Sequence, residues 1–438
     1  MTQQQPALAA KATPFWWEAA PPRPLAPVPL APRVDVAIVG AGYAGLAAGL
    51  ALARAGRTVA AFDAMNPGEG ASTRNGGITS GSIRPGLATM TRRFGAATAL
   101  GIEAEGKAAR QFLADFIRDE AIDCDFQMTG LFKGAIGLDQ YDSMAREVER
   151  LSKALGIETH AVPHAEQHSY IGTDFYRGGT VRMDIGGLDP AKFHAGLLRV
   201  AQAAGLAVHG HTPVTAIARE EGGFHVATAG GTVRARQVLV CTNGYTDAAS
   251  PYLRRRLVPV RSRIIATEEL APEVMARLMP RRMMMGEGRQ LGFYYRPSPD
   301  GRRILLGGRD SSRVGDPTAP TLRLRDGLAE LFPELRGVGL DHSWFGNVAM
   351  NRDMVPRLFE KEGVLYAGGF CGSGTVWATW LGTRAAHRLL GDAALGQSAF
   401  AFRPPAAVPF YNGDPWFMPA IIKGYHLQDR LAFRRARR

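Results

Sequence analysis

The stretch Val34-Asp-Val-Ala-Ile-Val-Gly-Ala-Gly-Tyr-Ala-Gly45 decides the fold. Val34 to Val39 is a short β-branched run between Pro32 and Gly40, which predicts a buried strand. Tyr43 to Ala55 follows as an Ala- and Leu-rich helix stopped by Gly56, and Thr58 to Phe62 supplies a second strand ending at Asp63. At the junction Gly40 permits a tight turn and Gly42 lets the backbone approach a pyrophosphate. Gly45 lets the helix pack closely on the strand, with Tyr43 and Ala44 opening the helix. The helix N-terminus offers free N–H groups and a positive dipole end. Asp63, 18 residues beyond Gly45 and followed by Ala64, stands where a carboxylate accepts hydrogen bonds from an adenosine ribose and repels a 2′-phosphate. The βαβ unit therefore predicts dinucleotide binding. The ribose contact is shared by NAD and FAD, so this unit leaves both open.

A second glycine-rich stretch, Gly68-Glu-Gly-Ala-Ser-Thr-Arg-Asn-Gly-Gly77, follows directly, where an NAD fold needs no such loop. Near the other end, Tyr366-Ala-Gly-Gly-Phe-Cys-Gly-Ser-Gly-Thr375 again couples a strand, a glycine turn and a helix start, whose dipole suits negative charge on a reduced flavin ring. Between them lies Cys241-Thr-Asn-Gly-Tyr245, and ahead of them all Pro14-Phe-Trp-Trp-Glu18. In this order the segments resemble the FAD-dependent amine and amino-acid oxidoreductases, the family of D-amino-acid oxidase, glycine oxidase and sarcosine oxidase. The resemblance is greatest to the gamma-glutamylputrescine-oxidase-like branch and covers about residues 14 to 395. It implies FAD, lined by Ser72, Thr73, Arg74, Asn75, Gly76 and Gly77, by Val214 against the adenine, and by Thr242, Asn243 and Gly244. Gly369, Gly372, Ser373, Gly374 and Thr375 would face the ring. It also implies hydride transfer from the carbon beside a neutral amine to flavin N5, giving an imine that water hydrolyses, with oxygen or an electron carrier as acceptor. Some relatives attach flavin through His or Cys. Here Arg74 occupies the early loop and Gly346 to Asp353 holds no Cys, so non-covalent FAD is expected, with Cys371 an inert buried thiol.

For the substrate, a carboxylate calls for an arginine clamp and an amine for an aromatic wall. The candidates are Tyr295 and Arg309 in a period-two region, with Tyr294 and Arg296 on the opposite face from Tyr295. Arg74, Trp344 and Asn351 join them, with Arg352 nearby. Some oxidase relatives place a lysine near the flavin, yet no lysine lies between Lys192 and Lys361. His160, His164 and His168 have near-helical spacing, but Pro163 interrupts the helix and no carboxylate completes a ligand pattern, so no metal is expected. No arrangement for a nucleophile is present.

The 438 residues bear a net charge of +12, and only seven of the 52 basic residues are lysines. The arginine excess suits an anionic cofactor or carboxylate substrate. It also keeps open a basic RNA-binding flavoprotein, which Phe433-Arg-Arg-Ala-Arg-Arg438 suggests; an NAD-dependent dehydrogenase is the other alternative. Neither nucleic acid nor an integral membrane segment is expected. Cys124, Cys241 and Cys371 form no CxxC and the leader has no signal-peptide form, which points to the cytoplasm.

The expected fold is α/β plus α+β: a Rossmann-like FAD-binding domain with a mixed central sheet, and a substrate domain with an antiparallel sheet and flanking helices. We divide the chain into a leader (1–32), a discontinuous FAD-binding domain (33–95, 165–250 and 340–396), a substrate domain (96–164 and 251–339) and a C-terminal tail (397–438).

Overall fold

In the computed structural model, which describes residues 10–310 and 316–436, β1 (Arg33–Val39) enters the turn at Gly40 and the helix Tyr43–Arg54. Strand β2 (Val59–Phe62) returns parallel to it, Val36 opposite Val59 and Val39 opposite Phe62. From Val36 to Val39 in β1 and throughout β2 the residues are apolar and buried on both faces, as a parallel strand covered on both sides must be. The main path of this sheet runs β15 (Arg357–Lys361), β16 (Val364–Gly368), β9 (Gly231–Val240), β1, β2, β6 (Ala207–His209). Only β15 is antiparallel on that path. The hairpin of β7 (Val214–Glu220) and β8 (Gly223–Thr228) attaches antiparallel to β9. The helix Gly374–Leu389 lies against Tyr43–Arg54 so closely that a Cβ on Gly382 would sit 2.2 Å from the Ala44 carbonyl oxygen.

The second sheet runs β14 (Leu340–Met350), β10 (Val258–Thr267), β13 (Ile304–Arg309), β12 (Tyr294–Pro297), β11 (Met284–Glu287), β3 (Leu131–Gly134), β5 (Gly179–Arg182), β4 (Thr159–Val162). It is antiparallel except where β11 pairs with β3. Its buried side has a separate core around Phe132, Tyr176, Tyr295, Leu306 and Phe332. A mixed sheet beside a largely antiparallel one is the expected architecture. Strands β5 and β14, however, belong to the second sheet although they fall in the segments 165–250 and 340–396 read as cofactor domain.

Two terminal segments also differ from their reading. The leader is built in from residue 10: Trp16 is fully buried, and Lys11 exchanges backbone hydrogen bonds with Asp341 and Ser343. The tail contains a long helix, Met418–Ala436, docked through Asp429, whose carboxylate accepts the N–H groups of Gln290 and Leu291. Arg437 and Arg438 lie outside the described residues.

Candidate functional site

A crevice opens at the C-terminal ends of β1 and β2, the place where open α/β sheets bind ligands. Its floor is backbone. Gly40 has φ +101°, and a Cβ there would stand 3.2 Å from the Cys241 carbonyl oxygen; on Gly45 it would stand 1.9 Å from the Gly40 carbonyl oxygen. Gly42 has no room either, with Ser72 Oγ 2.8 Å from where its Cβ would be. Ser72 Oγ accepts the Tyr43 N–H at 3.1 Å, tying the second glycine loop to the helix start.

The helices Tyr43–Arg54, Ala71–Arg74 and Gly374–Leu389 begin at this crevice without a side-chain cap: their N-cap residues are Gly42, Gly70 and Ser373. Away from the crevice, Asp189 caps the Pro190–Ala203 helix with two hydrogen bonds, from the N–H groups of Ala191 and Lys192. The uncapped ends leave amide donors for an anionic ligand. Asp63 accepts the N–H of Ala41 (2.9 Å) and of Met65 (3.0 Å), one on each oxygen. A carboxylate has about four acceptor sites, so two are left for hydroxyl groups. Desolvation raises its pKa.

The glycine-rich loop closes one side. Asn75 Oδ1 accepts the Gly77 N–H (2.8 Å) and the Thr375 hydroxyl (3.2 Å), which joins the early loop to the late helix. Opposite, Asn243 holds φ +45° and its Oδ1 accepts the Gly369 N–H at 2.9 Å. Ala64, Val214, Thr242, Gly372 and Gly374 line the space between, with Met65, Tyr245, Asn347 and Phe370, which the sequence reading did not single out.

With this geometry in view, residues 35–388 match the DAO family, described as FAD dependent oxidoreductase. The chain belongs to that family. It is 30% identical over 431 residues to the probable oxidoreductase OrdL of Rhizobium meliloti (strain 1021), covering 95% of this chain and 97% of that protein. Identity is 29% over 402 residues to the gamma-glutamylputrescine oxidoreductase of Escherichia coli (strain K12), covering 91% and 93% of the two chains. The crystal structure of glycine oxidase from Geobacillus kaustophilus superposes with a TM-score of 0.71 at 22% identity, covering 86% of this chain and 99% of that one. FAD is the cofactor of this FAD-dependent oxidoreductase. The crevice fits it: glycines where a Cβ would intrude, amide donors for the pyrophosphate and two open acceptor sites on Asp63.

Beyond Gly372 the oxidoreductase has a further cavity of about 410 Å³, walled by Ser373, Cys371, Tyr294, Arg309, Arg84 and Lys133 among others. It adjoins a cavity of about 1090 Å³, and Arg84, Lys133, Glu287, Arg289 and Arg309 line both. Arg309 ends β13 and would lie 3.5 Å from a Cβ on Gly372. No carboxylate pairs with it among the described residues. Desolvation, and then the neighbouring Arg84, lower its pKa to about 10. Arg289, by contrast, is held by Glu287 (2.5 Å) and Glu330 (3.1 Å). Lys133 also lacks an ion pair among the described residues and is exposed at the cavity wall.

Several expected residues stand elsewhere. Tyr295 is on the wrong face: it is fully buried in the second core, its hydroxyl 2.9 Å from that of Tyr176. Tyr294 faces the cavity instead, its hydroxyl 2.9 Å from Ser262 Oγ, its ring filling the space that Gly76 and Gly307 leave. The period of two fixed the alternation, and packing chose the face. Arg296 shares the Tyr294 face but donates to the Gly77 and Leu188 carbonyls. Arg74 turns out of the crevice. It donates to the Glu69 and Phe345 carbonyls, and its guanidinium lies 4.7 Å from the Trp17 ring centroid. Thr73 and Trp344 are likewise structural: Thr73 joins Trp17 to Gly68, and Trp344 donates to the Arg74 carbonyl from a buried position. The Tyr43 side chain points away too, donating to Pro190. Gly244 packs against the Asn347 backbone, and Asn351 is occupied by Val355 while bordering the larger cavity.

His164–Ser169 is a 3₁₀ turn, so His164 and His168 do not stack at i, i+4 as on an α-helix. His168 pairs with Asp174, His160 with the Tyr170 hydroxyl, and no group of three potential ligands occurs among the described residues. No helix among the described residues is long and apolar enough to cross a membrane.

Proposed function

We propose that this oxidoreductase oxidises the C–N bond of an amine or amino acid to an imine, which water then hydrolyses. Arg309 carries the reading: a guanidinium with no carboxylate partner among the described residues, at the end of the second sheet and beside the Gly372 turn that the crevice and the smaller cavity share. A guanidinium in that position binds a carboxylate through two parallel N–H bonds and so orients the adjoining C–N bond toward the crevice. Bound FAD supplies the two-electron acceptor. The protein supplies orientation, a dry wall in Tyr294, and a local positive field from Arg84, Lys133 and Arg309 that keeps an anionic substrate close. The gamma-glutamylputrescine oxidoreductase and glycine oxidase likenesses support an amine or amino acid as donor.

The same reading holds FAD non-covalently. No histidine lines the crevice among the described residues, and burial pushes the thiols of Cys241 and Cys371 up to about 12, where they are not nucleophiles at neutral pH. The three buried free cysteines support a reducing compartment such as the cytoplasm. The interleaving of the cofactor and substrate segments supports two discontinuous domains.

Anaerobic mixing of the holoenzyme with amines and with D-, L- and N-methyl amino acids tests the reaction. Bleaching of the flavin by one amino-acid class, with imine-derived carbonyl product, is expected. A flavin that dithionite reduces but no donor bleaches overturns it. Admitting air then separates oxygen from an electron carrier as acceptor.

A further inference from the structure

The larger cavity is polarised, and its polarity specifies more than an amino acid. At about 1090 Å³ it reaches the top of the range of roughly 300–1,000 Å³ for pockets that enclose drug-sized ligands. The end that meets the smaller cavity holds the cations Arg84, Lys133 and Arg309, and Arg93, Arg289 and Arg352 also line the larger cavity. Glu287, the single acidic residue in this wall among the described residues, is already engaged by Arg289; Glu103 and Glu147 line the smaller cavity. The other end is apolar. Val258, Val260 and Met350 form its base as part of a separate hydrophobic cluster with Tyr411, and the C-terminal segment closes over it. That cover presents Trp416, Phe417, Ile421, Ile422 and Tyr425 to the cavity.

We infer that the preferred donor is a carboxylate-bearing amine with an extended apolar or aromatic arm, and that the C-terminal segment from Trp416 to Tyr425 reads that arm. The inference rests on the amine-oxidising function proposed above and deepens it. The carboxylate sits at Arg309. The arm lies along the Val258, Val260 and Met350 wall and ends beneath Ile421 and Ile422. A distal ammonium is disfavoured: at the apolar end it would meet apolar side chains with no free acidic partner among the described residues. A small substrate such as glycine leaves the apolar end wet and gains nothing from it.

The test uses the FAD-loaded enzyme and two readouts. In anaerobic bleaching, N-benzylglycine should show kcat/KM at least tenfold above sarcosine and above N-(4-aminobutyl)glycine. Without turnover, 4-phenylbutanoate should perturb the flavin spectrum at concentrations at least tenfold below those needed for acetate or phenethylamine. The discriminating variant is Ile421→Glu, at a position 39% exposed, which should lower the N-benzylglycine to sarcosine ratio about tenfold. Leu427→Glu, on the same helix, 58% exposed and outside the cavity wall, should leave that ratio unchanged. Equal or faster bleaching by sarcosine, or an unchanged ratio in Ile421→Glu, overturns the assignment while the amine-oxidising reading stands. If no amine bleaches a flavin that dithionite reduces, both fall.

Discussion

The FAD crevice is walled by backbone, and the neighbouring cavity by the ends of long side chains. Gly40, Gly42 and Gly45 act by what they lack, and their spacing follows from one turn, so three residues within six positions specify the contact. The cavity draws Arg84 from the segment after the glycine loop, Lys133 from β3, Arg309 from β13 and Ile422 from the last helix. No local spacing relates these positions. A backbone site constrains residue type at short range. A side-chain site asks only that several remote chains deliver suitable ends to one place.

The sharpest way to break this comparison is to give the crevice a side chain. Gly45→Ala puts a Cβ 1.9 Å from a backbone oxygen that cannot rotate away. The helix must lift from β1, at a cost at or above the roughly 1–3 kcal/mol usual for overpacking. The expected protein is soluble at best in part and carries no flavin, read from the A450/A280 ratio. A fully loaded Gly45→Ala protein would show that the close helix contact is dispensable.

The cavity should answer differently. Arg309→Leu should keep FAD and lose substrate, because the side chain faces the cavity and has no carboxylate partner among the described residues to strand. A hydrogen bond to a charged group contributes about 1.5–3 kcal/mol, so kcat/KM for an amino-acid donor should fall roughly 10- to 150-fold. Arg309→Lys should recover only part, since an ammonium cannot make the bidentate contact. An unchanged kcat/KM in Arg309→Leu would remove the arginine from the site.

The same contrast explains what was legible in the sequence. Gly40 to Gly45, Asp63, Ser72, Asn75 and the Gly372 to Thr375 turn all border the crevice or join its walls, because turn geometry and helix starts are local properties. Thr73 and Arg74 sit in the same short loop yet face outward: a glycine-rich segment marks the loop and not the direction of each side chain. Tyr294 and Tyr295 alternate as a strand requires, but Tyr295 faces the core because Tyr176 and Phe332 wait for it there, a fact held by segments over 30 residues away on either side. Arg84 and Lys133 were missed for that reason. The last helix falls in the segment read only as a C-terminal tail; its Pro419 occupies the first turn of Met418–Ala436, where proline has no hydrogen bond to break.

The crevice also has a pH limit. His194 is buried and its Nε2 donates at 3.0 Å to the carbonyl of Ala41, in the middle of the glycine turn. Desolvation lowers its pKa to about 4, against about 6.5 in an unfolded chain. Between these values the unfolded state binds the extra proton, so stability rises with pH there and is lost as pH falls through 6.5 toward 4. The loss reaches about 3 kcal/mol at the low end. Denaturation midpoints and flavin release between pH 7 and 4 should show it, and His194→Gln should flatten the slope. An identical slope in that variant would assign the loss to other groups.

The smallest expected effect separates two neighbouring tryptophans behind the glycine loop. Trp16 Nε1 donates at 2.8 Å to the Asn75 carbonyl, and Trp17 Nε1 donates at 2.8 Å to Thr73 Oγ1. Trp17→Phe leaves the Thr73 hydroxyl donating to Gly68 and keeps an aromatic face for the Arg74 guanidinium, so only one neutral hydrogen bond is lost. Trp16→Phe deprives the Asn75 carbonyl of the indole donor next to a fully buried ring, in the residue whose side chain links the loop to Thr375. Leaving a fully buried acceptor unmet costs about 1–3 kcal/mol, and the part-buried Asn75 carbonyl bears a share of that, against roughly 0.5–1.5 kcal/mol for a bond whose acceptor keeps another partner. FAD dissociation constants should therefore weaken more in Trp16→Phe than in Trp17→Phe, with the latter within about tenfold of the parent. Equal weakening would mean that the leader supports the loop by bulk alone, and that the crevice depends on side-chain packing as the cavity does.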